Sequence, residues 1–153
     1  MKVILLAVGK CRDKAVLSLC DEYTKRLKPY WPTEVAEVTA KTSSSDAEHQ
    51  EIEKYLAKHK PEGLRIVALD ERGKQFSSRD FSQKLTHLEE TGCQTMVFII
   101  GGADGHTEAL RQKADLLLGL SKLTLPHMLV RPVILEQIYR AATIKDGHPY
   151  HRD

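Results

Sequence analysis

Three short, almost entirely apolar runs constrain the fold of this sequence more than any other feature. They occupy residues 3–8 (VILLAV), 64–70 (LRIVALD) and 95–100 (TMVFII). Apolar residues at consecutive rather than alternate positions predict strands buried on both faces, as in parallel sheets that are covered by helices. The runs therefore favour an α/β domain over an all-β or all-α one.

The segments between these runs carry helical or strand-like patterns of their own. Asp13 can cap a helix whose apolar positions recur at helical spacing up to Leu27, and residues 33–38 (TEVAEV) alternate like a half-buried strand. Further helices are predicted from Ser45 or Asp46, from Ser78, over 107–115 and after Pro126. Strand and helix alternate along residues 1–153 without a linker or repeat, which predicts one domain with a largely parallel sheet.

Composition restricts the class of protein without identifying it. The chain has 153 residues, 41% hydrophobic and 29% charged, with a formal net charge of +2, so any charge that attracts nucleic acid has to be local. No run approaches the roughly 20 apolar residues of a membrane span, no signal peptide is evident, and the three cysteines lack metal-ligand spacing. We expect a reduced, cytoplasmic protein without a membrane partner.

A glycine-rich loop follows the most strand-like run. In FIIGGADGH, Gly101, Gly102 and Gly105 lie at the carboxyl end of a predicted strand, where open α/β sheets bind ligands and where glycine lets a ligand approach the main chain. The spacing fits neither the dinucleotide fingerprint nor the phosphate loop. Spacing alone leaves a tight turn and a ligand-binding loop both open.

The segment LSKLTLPHMLVRPV (120–133) joins an apolar stretch to the C-terminal helix. Its spacing predicts Leu123 and Leu125 as core, and His127 as a possible cap. Pro132 predicts that the helix begins late or bends there. On the helix, Arg131 is expected on the polar side. The opposite, apolar face is expected to consist of Ile134, Ile138 and Ala141.

The chain ends on GHPYHRD (147–153), which is unusually rich in reactive side chains. His148 and His151 have the spacing of metal ligands, but nothing nearby completes the three or four ligands that zinc needs, so no metal is expected. Tyr150, His151 and Arg152 instead offer a stacking surface and cations for an unpaired RNA base and its phosphate. Upstream, Glu136 and Arg140 have the spacing of a surface ion pair on a helix.

Taken in order, IIGGADG, LSKLTLPHMLVR, EQIYRA and the terminal YHR resemble the RlmH family of bacterial SPOUT-class methyltransferases. AVGK and EYTKRL near the start are in keeping with this resemblance, which covers nearly the whole chain. It implies a SPOUT-type α/β knot, in which a mostly parallel sheet is flanked by helices and the C-terminal segment forms a trefoil knot.

The resemblance also implies an activity. Such enzymes use S-adenosyl-L-methionine, without a metal, to methylate N3 of a pseudouridine in 23S rRNA on the assembled 70S ribosome, and they act as homodimers. Two alternatives stay open: a SPOUT module that binds RNA or ribosomes without catalysis, and a flavodoxin-like domain that uses Gly101 and Gly102 to bind phosphate.

Site residues follow from the resemblance as well. It implies that the methyl donor contacts three loops, through Leu69, Gly102, and Ser121, Lys122, Leu123, Thr124, Leu125 and Pro126. It assigns the chemistry to Arg140, Tyr150, His151 and Arg152. In this hypothesis the arginines orient phosphate or stabilise the developing anion, Tyr150 packs the base, and His151 accepts the proton. A partner subunit is expected to receive this tail at its donor pocket, so that dimerisation and donor binding order residues 147–153.

Overall fold

Five parallel strands alternate with five helices in a computed structural model that describes residues 1–153. The elements are β1 (Lys2–Val8), α1 (Lys14–Leu27), β2 (Thr33–Val38), α2 (Ser45–Leu56), β3 (Leu64–Lys74), α3 (Ser78–Glu90), β4 (Thr95–Ile100), α4 (Glu108–Lys113), β5 (Leu116–Leu118) and α5 (His127–Lys145). No helix is both long enough and apolar enough to cross a membrane. The predicted α/β class with a parallel sheet is confirmed.

The strands form one sheet in the order β2-β1-β4-β3-β5. Within it, Val3 pairs with Met96 and Ile66 with Val97. A flavodoxin-like sheet has the order 2-1-3-4-5, whereas here β4 is inserted between β1 and β3. The flavodoxin-like alternative is therefore wrong.

Each face of the sheet has its own core, which explains why the strand sequences are apolar at consecutive positions. Val3, Leu5 and Ala7 of β1 pack on the face that carries α1, α3 and α5. The intervening residues Ile4 and Leu6 pack on the opposite face, against α2 and α4. Because neighbouring strand residues point to opposite faces, both sets have to be apolar.

The long helix α5 packs between α1 and α3. Its predicted apolar face is confirmed, since Ile134, Ile138 and Ala141 are buried. The helix begins at His127 and continues through Pro132, so the expected late start is wrong. Arg131, expected on the polar side, is only 1% exposed. Its burial is possible because polar groups at the end of β1 and in β2 accept its hydrogen bonds.

Serine side chains cap the amino ends of α2 and α3. Ser44 caps α2 by accepting the amide of Ala47, and Ser77 caps α3 by accepting the amide of Asp80. Helix α3 begins at Ser78 as predicted, whereas the expected α2 cap at Ser45 or Asp46 is wrong. Serine runs offer several equivalent caps locally, and the packing of the helix against the sheet selects among them.

Strand β3 is longer than predicted, because it continues past Asp70 to Lys74 and pairs there with β5. Glycines allow this approach: a Cβ on Gly73 would lie 2.5 Å from the Gly119 nitrogen, and one on Gly119 would lie 2.7 Å from the Gly73 oxygen. The Gly119 amide donates to the Lys74 carbonyl at 3.0 Å. This is where the end of β3 meets the segment leading to α5. The threading of the predicted knot stays a prediction.

Candidate functional site

A cavity of about 740 Å³ opens at the carboxyl edge of β3, β4 and β5. Three separate segments surround it: the end of β3, the glycine loop after β4, and the segment between β5 and α5. Parallel strands bring their carboxyl ends to one edge, which is why segments so distant in sequence meet here.

Most of the residues assigned to the methyl donor line this cavity. Leu69, Gly102 and each residue of 121–125 do so, whereas Pro126 lies just beside it at the start of α5. Leu123 is 78% exposed, so its expected place in the core is wrong. Residues 121–125 lie at the opening of the cavity, and the Leu123 side chain projects into solvent.

The glycine loop is packed against two polar side chains that sequence reasoning did not identify. A Cβ on Gly102 would lie 2.3 Å from Oε1 of Glu48, and one on Gly101 would lie 3.0 Å from Nδ1 of His106. Glu48 is 8% and His106 6% exposed, and neither Oε2 of Glu48 nor Nε2 of His106 has a hydrogen-bond partner. His106 could have been identified from the sequence, because it directly follows the glycine loop. Nothing in the sequence indicates that Glu48 of α2 lies against Gly102.

The His106 ring is neutral in this setting. Burial lowers its pKa, and this outweighs the charge of Asp70 and the nearby carbonyls of Ile99 and Leu69, which favour protonation. Arg111 donates to the His106 carbonyl at 2.5 Å and lies 3.8 Å from the Asp70 carboxylate. One wall of the cavity thus presents the His106 ring beside the Arg111–Asp70 pair.

Three of the four residues assigned to the chemistry, Arg140, Tyr150 and His151, form a cluster at α5, whereas Arg152 is exposed and outside it. Glu136 Oε1 accepts hydrogen bonds from Arg140 Nη2 at 2.6 Å and from the Tyr150 hydroxyl at 2.9 Å. Arg140 Nη1 lies 3.1 Å from Nδ1 of His151. The tail thus folds back from the end of α5 onto the middle of the same helix, and Glu136 connects its members.

The rings of Tyr150 and Tyr139 pack edge to face, with 4.7 Å between their centroids. The Arg140 guanidinium lies 4.9 Å from the centroid of the Tyr150 ring. Burial raises the Tyr150 pKa, and the hydrogen bond to Glu136 raises it further. The hydroxyl therefore stays protonated at neutral pH.

The last residues are held by ion pairs within the chain. Asp153 accepts from Arg79 at 2.9 Å and lies 3.0 Å from Nε2 of His151. The hydrogen bond from Arg79 and, to a smaller extent, the one from His151 lower the pKa of Asp153 to about 2. The tail thus has ordered contacts in the single chain, whereas the sequence predicted that a partner and the donor would order it.

The two groups of predicted site residues do not meet within one chain. None of Arg140, Tyr150, His151 and Arg152 lines the cavity. No group of three or more His, Cys, Asp or Glu side chains is positioned to hold a metal ion. One chain therefore assembles the three segments predicted to contact the donor but leaves the tail apart from them.

Comparisons with known proteins assign the class. A family model described as "Predicted SPOUT methyltransferase" matches residues 1–151. The SpoU methyltransferase AviRb from Streptomyces viridochromogenes has the same fold, with a TM-score of 0.50 at 15% identity over 96% of this chain and 61% of that one.

Closer relatives narrow the class to one family. Ribosomal RNA large subunit methyltransferase H from Paramagnetospirillum magneticum is 44% identical over 99% of both chains. The proteins of that name from Burkholderia vietnamiensis and Rhodospirillum centenum are each 42% identical over 99% of both chains. This chain belongs to the RlmH family of SPOUT methyltransferases, which confirms the membership predicted from its motifs.

Proposed function

We propose that this protein transfers a methyl group from S-adenosyl-L-methionine to N3 of a pseudouridine in 23S rRNA of the assembled ribosome. The observation that carries the proposal is the cavity of main-chain loops at Leu69, Gly102 and residues 121–125, in a chain whose full-length relatives are named large-subunit rRNA methyltransferases. The nucleotide and the donor are the parts of this proposal that need direct tests.

The cavity fits a nucleoside-sized donor. Its volume of about 740 Å³ lies within the range of about 300–1,000 Å³ that is typical of small-molecule sites. Bare main chain at Gly102 and apolar side chains at Leu125 and Val130 line it, which suits a flat base with hydrogen-bonding edges. When bound, the donor supplies an already activated sulfonium methyl, so the protein has to supply position and proton transfer.

The tail cluster carries the acid–base and orienting roles in this proposal. N3 of a neutral pseudouridine bears a proton and is a weak nucleophile until the proton is withdrawn. His151 accepts that proton, directly or through a water. Arg140 and Arg152 favour the resulting anion or hold the adjacent phosphate, and Tyr150 packs against the base.

A homodimer is needed to bring the two groups of residues together. On α5, Leu129 and Val133 are 45% and 36% exposed and lie one turn apart, a pattern that favours burial by a partner. Antiparallel packing of two α5 helices about a twofold axis near Val133 sets Val130, at the cavity, opposite Glu136 of the partner subunit. Each tail then adjoins the other chain's cavity.

The direct test is transfer of tritiated methyl to ribosomes that lack the modification, followed by mass spectrometry of the nucleosides. We expect one N3-methylpseudouridine per large subunit. A labelled nucleoside of another kind would refute the proposed specificity. Absence of transfer would refute the proposed methyltransferase activity.

The proposed homodimer is tested by measuring the oligomeric state in sedimentation experiments. We expect a dimer at assay concentration, and we expect Val133→Lys to give a monomer that binds donor but does not transfer methyl. A fully active monomer would contradict the proposed role of the partner subunit.

A catalytically inactive RNA-binding module is the remaining alternative. It predicts ribosome binding without saturable binding of S-adenosyl-L-methionine. Calorimetry with the donor alone separates the two, because the enzyme requires a saturable site with about one donor per cavity.

A further inference from the structure

Three cations at the β1–α1 loop, two within it and one at the first residue of α1, form no ion pair. Lys10, Arg12 and Lys14 are exposed, and none forms an ion pair with a carboxylate. The one acidic side chain among them, Asp13, is occupied in capping α1, where it accepts the amides of Ala15 and Val16. The loop is thus locally basic in a chain whose formal net charge is only +2.

Helix α1, which follows this loop, lacks a feature that three of the other four helices have. An acidic residue in the first turn stabilises a helix because the amino end of a helix is partly positive. Helices α2, α3 and α4 have such residues, among them Asp46, Asp80 and Glu108. Helices α1 and α5 have none, and α1 begins with the cation Lys14. Local rules are broken mainly where function requires it.

The loop backbone is held in place from beneath. Buried Arg131 donates to the Gly9 carbonyl at 2.8 Å and to Glu37 at 2.5 Å, and the Cys11 amide donates to the same Glu37 oxygen at 2.7 Å. The main chain on both sides of Lys10 is therefore fixed. A cation presented on a fixed backbone loses less entropy when it binds an anion.

The loop begins one strand away from the cavity, although none of its residues lines the cavity. Strand β1 is the immediate neighbour of β4, and adjacent strands lie about 4.8 Å apart. Its end therefore lies beside the glycine loop. His127, which lines the cavity, reaches the Val8 carbonyl with its Nε2 at 3.2 Å. The first turn of α5 thus contacts both the cavity and the base of the loop.

From these observations we propose that Lys10, Arg12 and Lys14 bind the phosphates that flank the target nucleotide, so that the β1–α1 loop is an RNA-docking element. This inference rests on the proposed function. The reacting base belongs to a polyanion, so phosphates have to lie near the cavity when the base enters it. Unpaired cations on a fixed loop at that edge attract them, with a strong dependence on salt.

The test compares two triple variants that change the net charge equally. One carries Lys10→Gln, Arg12→Gln and Lys14→Gln. The matched control carries Lys28→Gln, Lys58→Gln and Lys60→Gln, which are exposed cations without ion pairs near the other edge of the sheet. For each protein we would measure the donor Kd, the KM and kcat on unmodified ribosomes, and the salt dependence of ribosome binding.

We expect the loop variant to raise the KM for ribosomes by roughly tenfold or more, with kcat and the donor Kd unchanged. Its slope of log affinity against log salt should fall by about 2, at about 0.7 for each lost phosphate contact with a single strand. The control should match the wild type. An unchanged KM, or an equal rise in both variants, would overturn the inference.

Failure of the proposed function has a different signature. If the wild type binds ribosomes but transfers no methyl group, the enzyme proposal fails. A selective loss of ribosome binding in the loop variant would still support the docking element, and no selective loss would overturn it as well.

Discussion

Arg140 Nη1 lies 3.1 Å from Nδ1 of His151, on the same cluster that Glu136 and Tyr150 complete. A guanidinium has only donors, so Nδ1 of His151 has to accept, and the ring proton resides on Nε2, which faces Asp153 at 3.0 Å. Both ring nitrogens are therefore engaged in the single chain. Because Nε2 carries the proton, His151 becomes available as a base only when substrate replaces Arg140 at Nδ1.

Replacing His151 tests its role as the base. We expect His151→Ala to lower the single-turnover rate of methyl transfer by about 10²–10⁴-fold, the usual contribution of a positioned acid or base, with an unchanged donor Kd. His87→Ala, at an exposed position of α3, is the control and should transfer at the wild-type rate. A rate for His151→Ala that matches wild type across pH would exclude the role.

The contact between Gly102 and Glu48 predicts a substitution that can be rescued in part. In Gly102→Ala the new Cβ would lie 2.3 Å from the Glu48 carboxylate, and overpacking of this kind costs about 1–3 kcal/mol. Adding Glu48→Ala removes the collision and should restore the unfolding free energy in urea.

The affinity for the donor should not recover in the double variant as stability does. If the donor contacts the main chain at Gly102 directly, the double variant regains stability but still binds S-adenosyl-L-methionine weakly in calorimetry. Full recovery of binding in the double variant would mean that Gly102 serves packing and is not a donor contact.

The ion pair between buried Arg131 and solvent-accessible Glu37 predicts that stability depends on pH. Burial acts to raise the pKa of Glu37, but the hydrogen bonds from the Cys11 amide and Arg131 outweigh it and lower the pKa below its usual 4.5. The stabilisation is therefore complete above about pH 4.5 and is lost as the pH falls through the lower, folded-state value.

Glu37→Gln measures this contribution. We expect it to cost about 1.5–3 kcal/mol at pH 7, as for a hydrogen bond to a charged group. In urea titrations the difference from wild type should be constant from pH 8 to 5 and shrink below about pH 4.5. A constant difference down to pH 3 would contradict the assignment.

Lys14 should show opposite effects on stability and on RNA binding. Lys14→Glu places an acid in the first turn of α1, which should raise the unfolding free energy by about 0.3–1 kcal/mol. The same change should raise the KM for ribosomes, because it reverses a charge in the docking loop. Thermal unfolding and methyl-transfer kinetics on one preparation check both, and a loss of stability would contradict the argument from the helix terminus.

Much of the fold could be read from local patterns. The runs at 3–8, 64–70 and 95–100 became β1, most of β3 and β4, because a strand between two helical layers needs apolar residues on both faces. Asp13 caps α1 as predicted, since a cap bonds to amides only two or three residues away. The motifs that resemble the family also pointed to residues 121–125, which line the cavity; their contact with the donor stays a prediction.

Contacts between residues far apart in the chain were decided by the tertiary structure alone. The sequence by itself determined which segments are strands and helices, and which motifs mark the family. It did not reveal that Gly73 meets Gly119, that Arg131 is buried under the end of β1, that Glu48 packs on Gly102, or that the tail folds back onto Glu136. Periodicity reports which face of one element is apolar, whereas these contacts depend on how separate elements are placed in space.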